Sequence, residues 1–296
     1  MKRGSMENAA TRCVWDVGAR LGEGPVWDAR DAGLWFVDIE APAIHRYGLA
    51  DARRDRFTPP WRVSAIWPRA AGGFVAHGEA GFATIDPAAG RYDLFHATEP
   101  ERPGNRSNDG KIDPAGRFWS GTMDDAKTEA VGALYRLDPD RRVTRIDDGY
   151  HITNGPAFSP DGRTMYHTDT LRRTVYAFDI AADGSASGKR DFLSFGDETI
   201  GNPDGMTIDS DGCLWIAFWG GWCVRRYAPD GAPIGECRVP ALQVTSLAFA
   251  GTALDRLFVT SAADGLERRA EHALAGALFE IVDPGATGVA MPLYAG

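Results

Sequence analysis

Two carboxylates and one amide in this sequence are side chains of the kind that bind a divalent cation through oxygen. They are Glu23 in LGEGP, Asn154 in TNGP and Asp204 in PDG. An oxygen-only ligand set suits hard cations, so we expect Ca²⁺, while Mg²⁺, Mn²⁺, Zn²⁺ and Fe²⁺ stay open. Three protein ligands would leave coordination positions for water and substrate, which is typical of catalytic metal sites.

These three residues belong to a sequence repeat. A turn followed by an apolar pair recurs at intervals of roughly 40–50 residues, which is the blade period of a β-propeller. The apolar pairs are Leu34-Trp35, Phe74-Val75, Phe118-Trp119, Met165-Tyr166, Leu214-Trp215 and Leu257-Phe258. Each pair is followed by a second pattern of alternating residues, often with an Asp-Pro turn, as in FATIDP and ALYRLDP. Because the two patterns recur together with the same spacing, they predict an all-β, six-bladed β-propeller with four antiparallel strands per blade. The alternative, a β-sandwich, gives no reason for such a period.

The repeat also predicts where polar groups meet. The first strand of each propeller blade lies nearest the central channel, so equivalent positions on these strands converge. About ten or eleven residues before each apolar pair, the repeat places one polar residue. The six are Glu23, Ser64, Asn108, Asn154, Asp204 and Ser246. This set has two carboxylates and no cation, and buried carboxylates are costly unless they are paired or metal-bound. We therefore expect a metal at the central channel. The alternative is a hydrated polar channel without metal.

Length, composition and charge limit the possible folds, partners and locations of the protein. The 296 residues are 44% hydrophobic, and we expect residues 13–296 to form a single propeller, whose first strand, around Cys13, pairs with C-terminal strands. Residues 1–12 are expected to be disordered, and Gly4-Ser5-Met6 resembles an expression scar. A net charge of −9 argues against nucleic-acid binding. The sequence shows no membrane-binding segment or apolar leader, and its cysteines have no zinc-site spacing, which indicates a cytoplasmic protein with reduced thiols.

Several segments together resemble a known family. LGEGPVW, RSNDGKIDPAGRFWSGTM, TNGPAFSPDGRTMYHTD and NPDGMTIDSDGCLW, in this order, look like the gluconolactonase/regucalcin family, also called senescence marker proteins. The resemblance runs from about Cys13 to the C-terminus. It implies a six-bladed propeller with one divalent metal at the axis and hydrolysis of sugar-acid lactones. By motif position, Glu23, Asn154 and Asp204 match the metal ligands of the family.

The resemblance also implies substrate contacts. Arg106 and Asn108 in RSNDGK match substrate-binding residues, although a solvated loop arginine is the alternative for Arg106. Some members carry an acidic substrate contact after GTM, and here Asp124 or Asp125 follows that motif. We take Asp125 as the candidate. His151, three residues before Asn154, is a further candidate for contact with sugar hydroxyls.

These residues suggest how a lactone would be opened. Hydrolysis of a cyclic ester develops negative charge on the carbonyl oxygen, which a metal stabilises as a Lewis acid. Water must also lose a proton, and Asp204 is the candidate base; pure ligation is its alternative role. The expected partner is a small sugar lactone, bound by a monomer or weak homo-oligomer.

Other functions remain open at this stage. A non-catalytic calcium-binding protein of the regucalcin type is the main alternative, and a propeller that serves as an interaction platform is another. The absence of a GxSxG motif disfavours a serine esterase. Nothing in the sequence ranks glucono-, xylono-, arabinono- and galactonolactone as substrates.

Overall fold

The computed structural model describes residues 10–196, 198–267 and 269–296, and strands dominate them. In chain order the strands are β1 (Thr11–Trp15), β2 (Gly22–Asp28), β3 (Gly33–Asp38), β4 (Ala43–Gly48), β5 (Arg54–Phe57), β6 (Val63–Pro68), β7 (Phe74–Gly78), β8 (Gly81–Asp86), β9 (Arg91–His96), β10 (Asn105–Ile112), β11 (Phe118–Asp124), β12 (Gly132–Leu137), β13 (Val143–Tyr150), β14 (Thr153–Phe158), β15 (Thr164–Asp169), β16 (Thr174–Ile180), β17 (Ala186–Ser194), β18 (Asn202–Ile208), β19 (Leu214–Trp219), β20 (Cys223–Tyr227), β21 (Pro233–Arg238), β22 (Gln243–Ala250), β23 (Arg256–Ala262) and β24 (Leu278–Ile281). Short 3₁₀ turns occur at Glu198–Ile200 and Ala270–His272. Within the described part of the chain, no helix is long and apolar enough to span a bilayer.

The strands form antiparallel sheets in a propeller-like arrangement. Strands β2–β5, β6–β9, β10–β13 and β14–β17 each form a four-stranded sheet. The remaining strands form one eight-stranded sheet, in which β18–β21 and β22–β24 with β1 are joined by the pairing of Trp219 with Gln243. The all-β propeller-like prediction is therefore confirmed, but six separate sheets are not seen, because this residue pair links the last two.

The N-terminal strand closes the ring as expected. β1 pairs with β24 from Thr11 opposite Ile281 onward, so the first strand and the last belong to one sheet. Arg12 on β1 reinforces this pairing through an ion pair with Glu280. β1 begins two residues before the predicted boundary at Cys13. Of residues 1–12, which the sequence predicts to be disordered, Thr11 and Arg12 belong to β1, while residues 1–9, with the expected scar, lie outside the described residues.

Six inner strands surround a common axis. β2, β6, β10, β14, β18 and β22 contact one another in this order, and β22 contacts β2. Neighbouring sheets pack face to face, as where Val75 and Phe82 of the second sheet meet Phe118 and Leu137 of the third. The inner strands are thus covered on both faces and are buried almost throughout. The outer strand β5 instead alternates exposed and half-buried residues.

Every inner strand carries a register shift at the predicted polar position. The shifts lie between Glu23 and Val26 in β2, Val63 and Ala65 in β6, Ser107 and Gly110 in β10, Asn154 and Ala157 in β14, Pro203 and Met206 in β18, and Val244 and Ser246 in β22. A β-bulge breaks the alternation of side chains and re-aims them. Consecutive residues at these steps can therefore both face the axis.

Candidate metal centre and substrate site

Glu23 is a buried acid near the start of β2. Its side chain is 3% exposed, and its Oε2 accepts a 2.9 Å hydrogen bond from the Gly24 backbone amide. Burial raises the pKa of Glu23, and the nearby charge of Asp109 raises it further. Removal from water disfavours the ionised carboxylate, so this site favours either a proton or a cation.

Asp204 is the second predicted acid, and it lies within electrostatic reach of Glu23. It sits on β18 and is 5% exposed. Burial raises the pKa of Asp204 well above its ordinary value, and the charges of Glu23 and Asp109 add to this effect. Two strands from different sheets thus bring two acids to one part of the axis, as the repeat predicted.

Asn154 is held by hydrogen bonds that orient its amide. Its Nδ2 donates to Thr170 Oγ1 at 2.8 Å, and its Oδ1 accepts from Asn108 Nδ2 at 3.2 Å. Thr170 Oγ1 donates in turn to the carbonyl of Pro203, the residue before Asp204. Asn154 Oδ1 keeps a second lone pair, which suits it to a cation.

Two charged residues of this region were missed by the sequence analysis. Asp109 is 1% exposed and accepts hydrogen bonds from the backbone amides of Gly110 (2.7 Å) and Gly155 (2.8 Å). Its pKa is raised by burial, although Lys111 acts in the opposite sense. Burial lowers the pKa of Lys111, against the charges of Asp109 and Glu23. The repeat gave one residue per strand, whereas the bulge in β10 brings Asp109 to the axis as well as Asn108.

The donor set fits a divalent cation by charge and by chemistry. When ionised, Glu23, Asp109 and Asp204 carry three negative charges, and Lys111 acts on Glu23 and Asp109 without direct contact. A divalent ion would balance two of these charges. Within the described residues no three His, Cys, Asp or Glu side chains converge as a ready-made metal cluster. The predicted set would not form such a cluster, because its third member is an amide.

The predicted substrate residue Arg106 is buried beside this centre. It is 3% exposed, so the alternative of a solvated loop arginine is wrong. Its Nε donates to Asp125 Oδ1 at 2.8 Å, and its Nη1 donates to Asn108 Oδ1 at 2.7 Å and to the Ser107 carbonyl at 2.9 Å. Within the described part of the chain, Arg106 Nη2 makes no hydrogen bond. Two N–H donors therefore stay available to a ligand.

The two acids after GTM have different surroundings. Asp124 is the last residue of β11 and is half-buried, and its carboxylate accepts hydrogen bonds from the backbone amides of Ala126, Thr128 and Glu129. Asp125 instead faces Arg106 and accepts from both terminal nitrogens of Arg62. Burial acts to raise the pKa of Asp125, but these two arginines outweigh it and lower the pKa. Of the two, only Asp125 joins the Arg106 network.

The remaining predicted residues lie around the same axis. Ser64 Oγ donates to Ser107 Oγ at 2.5 Å. Ser246 is fully buried, and within the described residues its Oγ has no hydrogen-bond partner. His151 is half-buried and lies against Asp169, with 3.3 Å between Nδ1 and Oδ2. The structure thus connects Asn108 and Asn154 directly and leaves the contact of His151 with a ligand a prediction.

Known proteins resemble this chain in sequence and in fold. Residues 21–263 match the family described as the SMP-30/Gluconolactonase/LRE-like region. Regucalcin of Danio rerio is 36% identical over 297 residues, which cover 98% of this chain and 100% of that protein. Pentonolactonase XacC of Haloferax volcanii is 37% identical over 284 residues, 94% of this chain and 95% of that protein. The crystal structure of regucalcin from Agrobacterium tumefaciens, described as a calcium-binding protein, superposes with a TM-score of 0.92 at 31% identity, covering 98% of this chain and 99% of that one.

Proposed function

Since the chain belongs to the SMP-30/gluconolactonase/LRE-like family, we propose that it is a metal-dependent hydrolase of sugar-acid lactones. Its substrates would be aldonolactones such as glucono-, xylono- or arabinonolactone, opened to the free acids. The observation that carries this proposal is the pair of buried acids Glu23 and Asp204, each with its pKa raised beside a buried arginine network. The pentonolactonase name of one relative supports the substrate class.

We infer that the propeller has six blades. Strands β18–β21 and β22–β24 with β1 each have the size of one blade, and only the pairing of Trp219 with Gln243 merges them. The closed ring of inner strands supports this interpretation. Each blade would then contribute one polar position to the axis.

The metal site would consist of Glu23, Asn154 and Asp204. A divalent ion bound there would supply Lewis-acid stabilisation of the lactone carbonyl. Ca²⁺ is the preferred ion, because the calcium-binding relative has a closely similar fold and the donors are all oxygen. Asp109 is held by two backbone amides, and its negative charge would stabilise the bound ion without Asp109 being a ligand.

The surrounding residues would bind substrate and move the proton. Arg106 Nη2 would donate to a ring or hydroxyl oxygen of the lactone, while Nε and Nη1 stay committed to Asp125 and Asn108. Asp125 and His151 would contact sugar hydroxyls. Asp204 would accept the proton of the attacking water on a carboxylate oxygen, as a general base whose pKa burial raises.

A second candidate function is calcium binding without catalysis. It is favoured by the regucalcin names of several relatives. The two functions differ in whether bound Ca²⁺ accelerates ester hydrolysis. An oxygen-ligand site would bind Ca²⁺ in both cases, so binding alone does not separate them.

A proton-release assay tests the proposal. Chelator-stripped protein is combined with each divalent metal and a panel of aldonolactones, and the rate is compared with spontaneous hydrolysis. We expect metal-dependent acceleration with at least one lactone and its loss in Asp204→Ala. Calcium binding with no acceleration for any metal and lactone pair would favour the regucalcin-type alternative.

A further inference from the structure

A cavity lies at the end of the axial channel where the inner strands finish. It has a volume of about 360 Å³, within the ordinary range for small-molecule sites. Each inner strand contributes residues that follow its polar position in sequence. One from each strand is Val26, Trp67, Ile112, Phe158, Ile208 and Phe249. We call this the rear cavity, because it opens away from Glu23 and Asp204.

The rear cavity is mostly apolar and reaches solvent at its rim. Its rim includes the exposed residues Thr252, Ala290 and Leu293. Trp67 is fixed in its wall by a 2.9 Å hydrogen bond from Nε1 to the Pro292 carbonyl. A sugar would leave many hydroxyls unpaired against such walls, so the cavity does not suit a lactone substrate.

One charged side chain lines the rear cavity. Lys111 is 9% exposed, and within the described residues its ammonium has no hydrogen bond and no carboxylate within 4.0 Å. Asp109 and Glu23 act on it electrostatically from the metal side. A buried ammonium without a close partner is costly, and Lys111 is part of the lining of the rear cavity.

We propose that the rear cavity binds a small amphipathic monocarboxylate, whose carboxylate pairs with Lys111 and whose apolar body packs between the inner strands. A single ammonium matches a single negative charge, and a dianion would leave one charge buried and unpaired. A neutral apolar ligand would fill the cavity but leave Lys111 unpaired. A monocarboxylate with an apolar body is therefore the ligand class that fits one cation in the apolar rear cavity.

Octanoate is the probe for this proposal. Titration calorimetry with chelator-treated protein keeps its carboxylate from binding a metal at the other end of the channel. We expect saturable one-to-one binding of octanoate, with octanol bound about tenfold or more weakly because it carries no charge. Absence of saturable binding at millimolar octanoate, or equal affinity for octanol, would overturn the proposal.

Three variants locate the binding. Lys111→Met removes the charge at similar length and should weaken octanoate about tenfold or more. Ala248→Leu extends an apolar side chain into the rear cavity and should also weaken binding, which keeps the test decisive if Lys111→Met does not fold.

Lys127→Met is the matched control. Lys127 is exposed and acts on Asp204, at the metal end, so this variant should bind octanoate unchanged. If Lys127→Met lost binding while Ala248→Leu kept it, the ligand would lie at the metal end and the proposal would fail.

This inference is independent of lactone hydrolysis. Binding is measured without metal, so it can succeed or fail whether or not the protein opens lactones. Trp27 and Trp67 both line the rear cavity. A change in tryptophan fluorescence with the same octanoate affinity would therefore support the location, and a fluorescence midpoint that disagreed with calorimetry would count against it.

Discussion

Arg106 Nε donates a 2.8 Å hydrogen bond to Asp125 Oδ1, which ties the loop after β11 to the inner strand β10. Arg62 holds the same carboxylate from the other side, through Nη1 at 3.2 Å and Nη2 at 2.9 Å. Arg106 is thereby fixed with its Nη2 uncommitted to any residue of the described chain. This arrangement makes Asp125 a positioning residue for Arg106 as well as a candidate substrate contact.

We expect Asp125→Asn to raise KM for the best lactone by about ten- to a hundredfold, because loss of a charge-assisted hydrogen bond removes roughly 1.5–3 kcal/mol. Steady-state kinetics with initial rates measured by proton release give KM and kcat separately. The matched control is Asp124→Asn, which changes the neighbouring acid at the end of β11 without removing a contact of Arg106. Equal effects of the two variants would show that only the loop conformation matters.

Glu23→Gln should reduce metal affinity by about a hundredfold or more, since it replaces a charged ligand by a neutral one at a buried site. Calorimetric titration of Ca²⁺ into stripped protein measures this loss, and circular dichroism checks that the strands are retained. Ser64→Ala, on the same ring of polar positions but without charge, should change metal affinity little. A Glu23→Gln variant with unchanged affinity would remove Glu23 from the ligand set.

The repeat made the fold and the ring predictable, but not the whole site. Glu23, Asn154 and Asp204 could be located because equivalent positions in a propeller converge, and the structure places these residues on inner strands around one axis. Asp109 and Lys111 were missed because the repeat marks one position per strand, whereas the bulge in β10 lets a neighbouring residue face the axis as well. Asp124 and Asp125 could not be separated from sequence, since their difference depends on contacts of Asp125 with the distant residue Arg62.

Asp109→Asn tests whether charge beyond the ligands stabilises the bound ion. Asp109 is held by the backbone amides of Gly110 and Gly155, so its role would be electrostatic. Removing one negative charge should weaken Ca²⁺ by about ten- to a hundredfold, the usual effect of altering residues that support metal ligands. The same titration is repeated at low and high salt to check the cause. Because salt screens a buried charge little, the loss of Ca²⁺ affinity should be similar at both. Unchanged Ca²⁺ affinity in Asp109→Asn would show that this carboxylate is only structural.

Without metal, the protein should become more stable as the pH falls from 9 to 7. Burial and Asp109 raise the pKa of Glu23 to about 8, against an unfolded value of about 4.3. Between these values the folded state binds more protons than the unfolded state, so the free energy of unfolding increases as protons are added. The raised pKa values of Asp109 and Asp204 act in the same direction. The lowered pKa of Lys111 acts oppositely, but one lysine stands against three acids.

The predicted gain in stability is limited to the range from pH 9 to pH 7, because the buried histidines lower the stability at more acidic pH. Burial lowers the pKa of His45 to about 4 and those of His77 and His167 to about 3, so these residues reduce stability once the unfolded histidines take up protons. Thermal melts in chelator at pH 7 and pH 9 should give the higher Tm at pH 7, and Glu23→Gln should narrow the difference. Saturating Ca²⁺ should remove it, because bound cation and proton compete for the same carboxylates. A metal-free Tm that rose from pH 7 to pH 9 would mean that these acids are ionised without cost, and that the cluster does not need a cation.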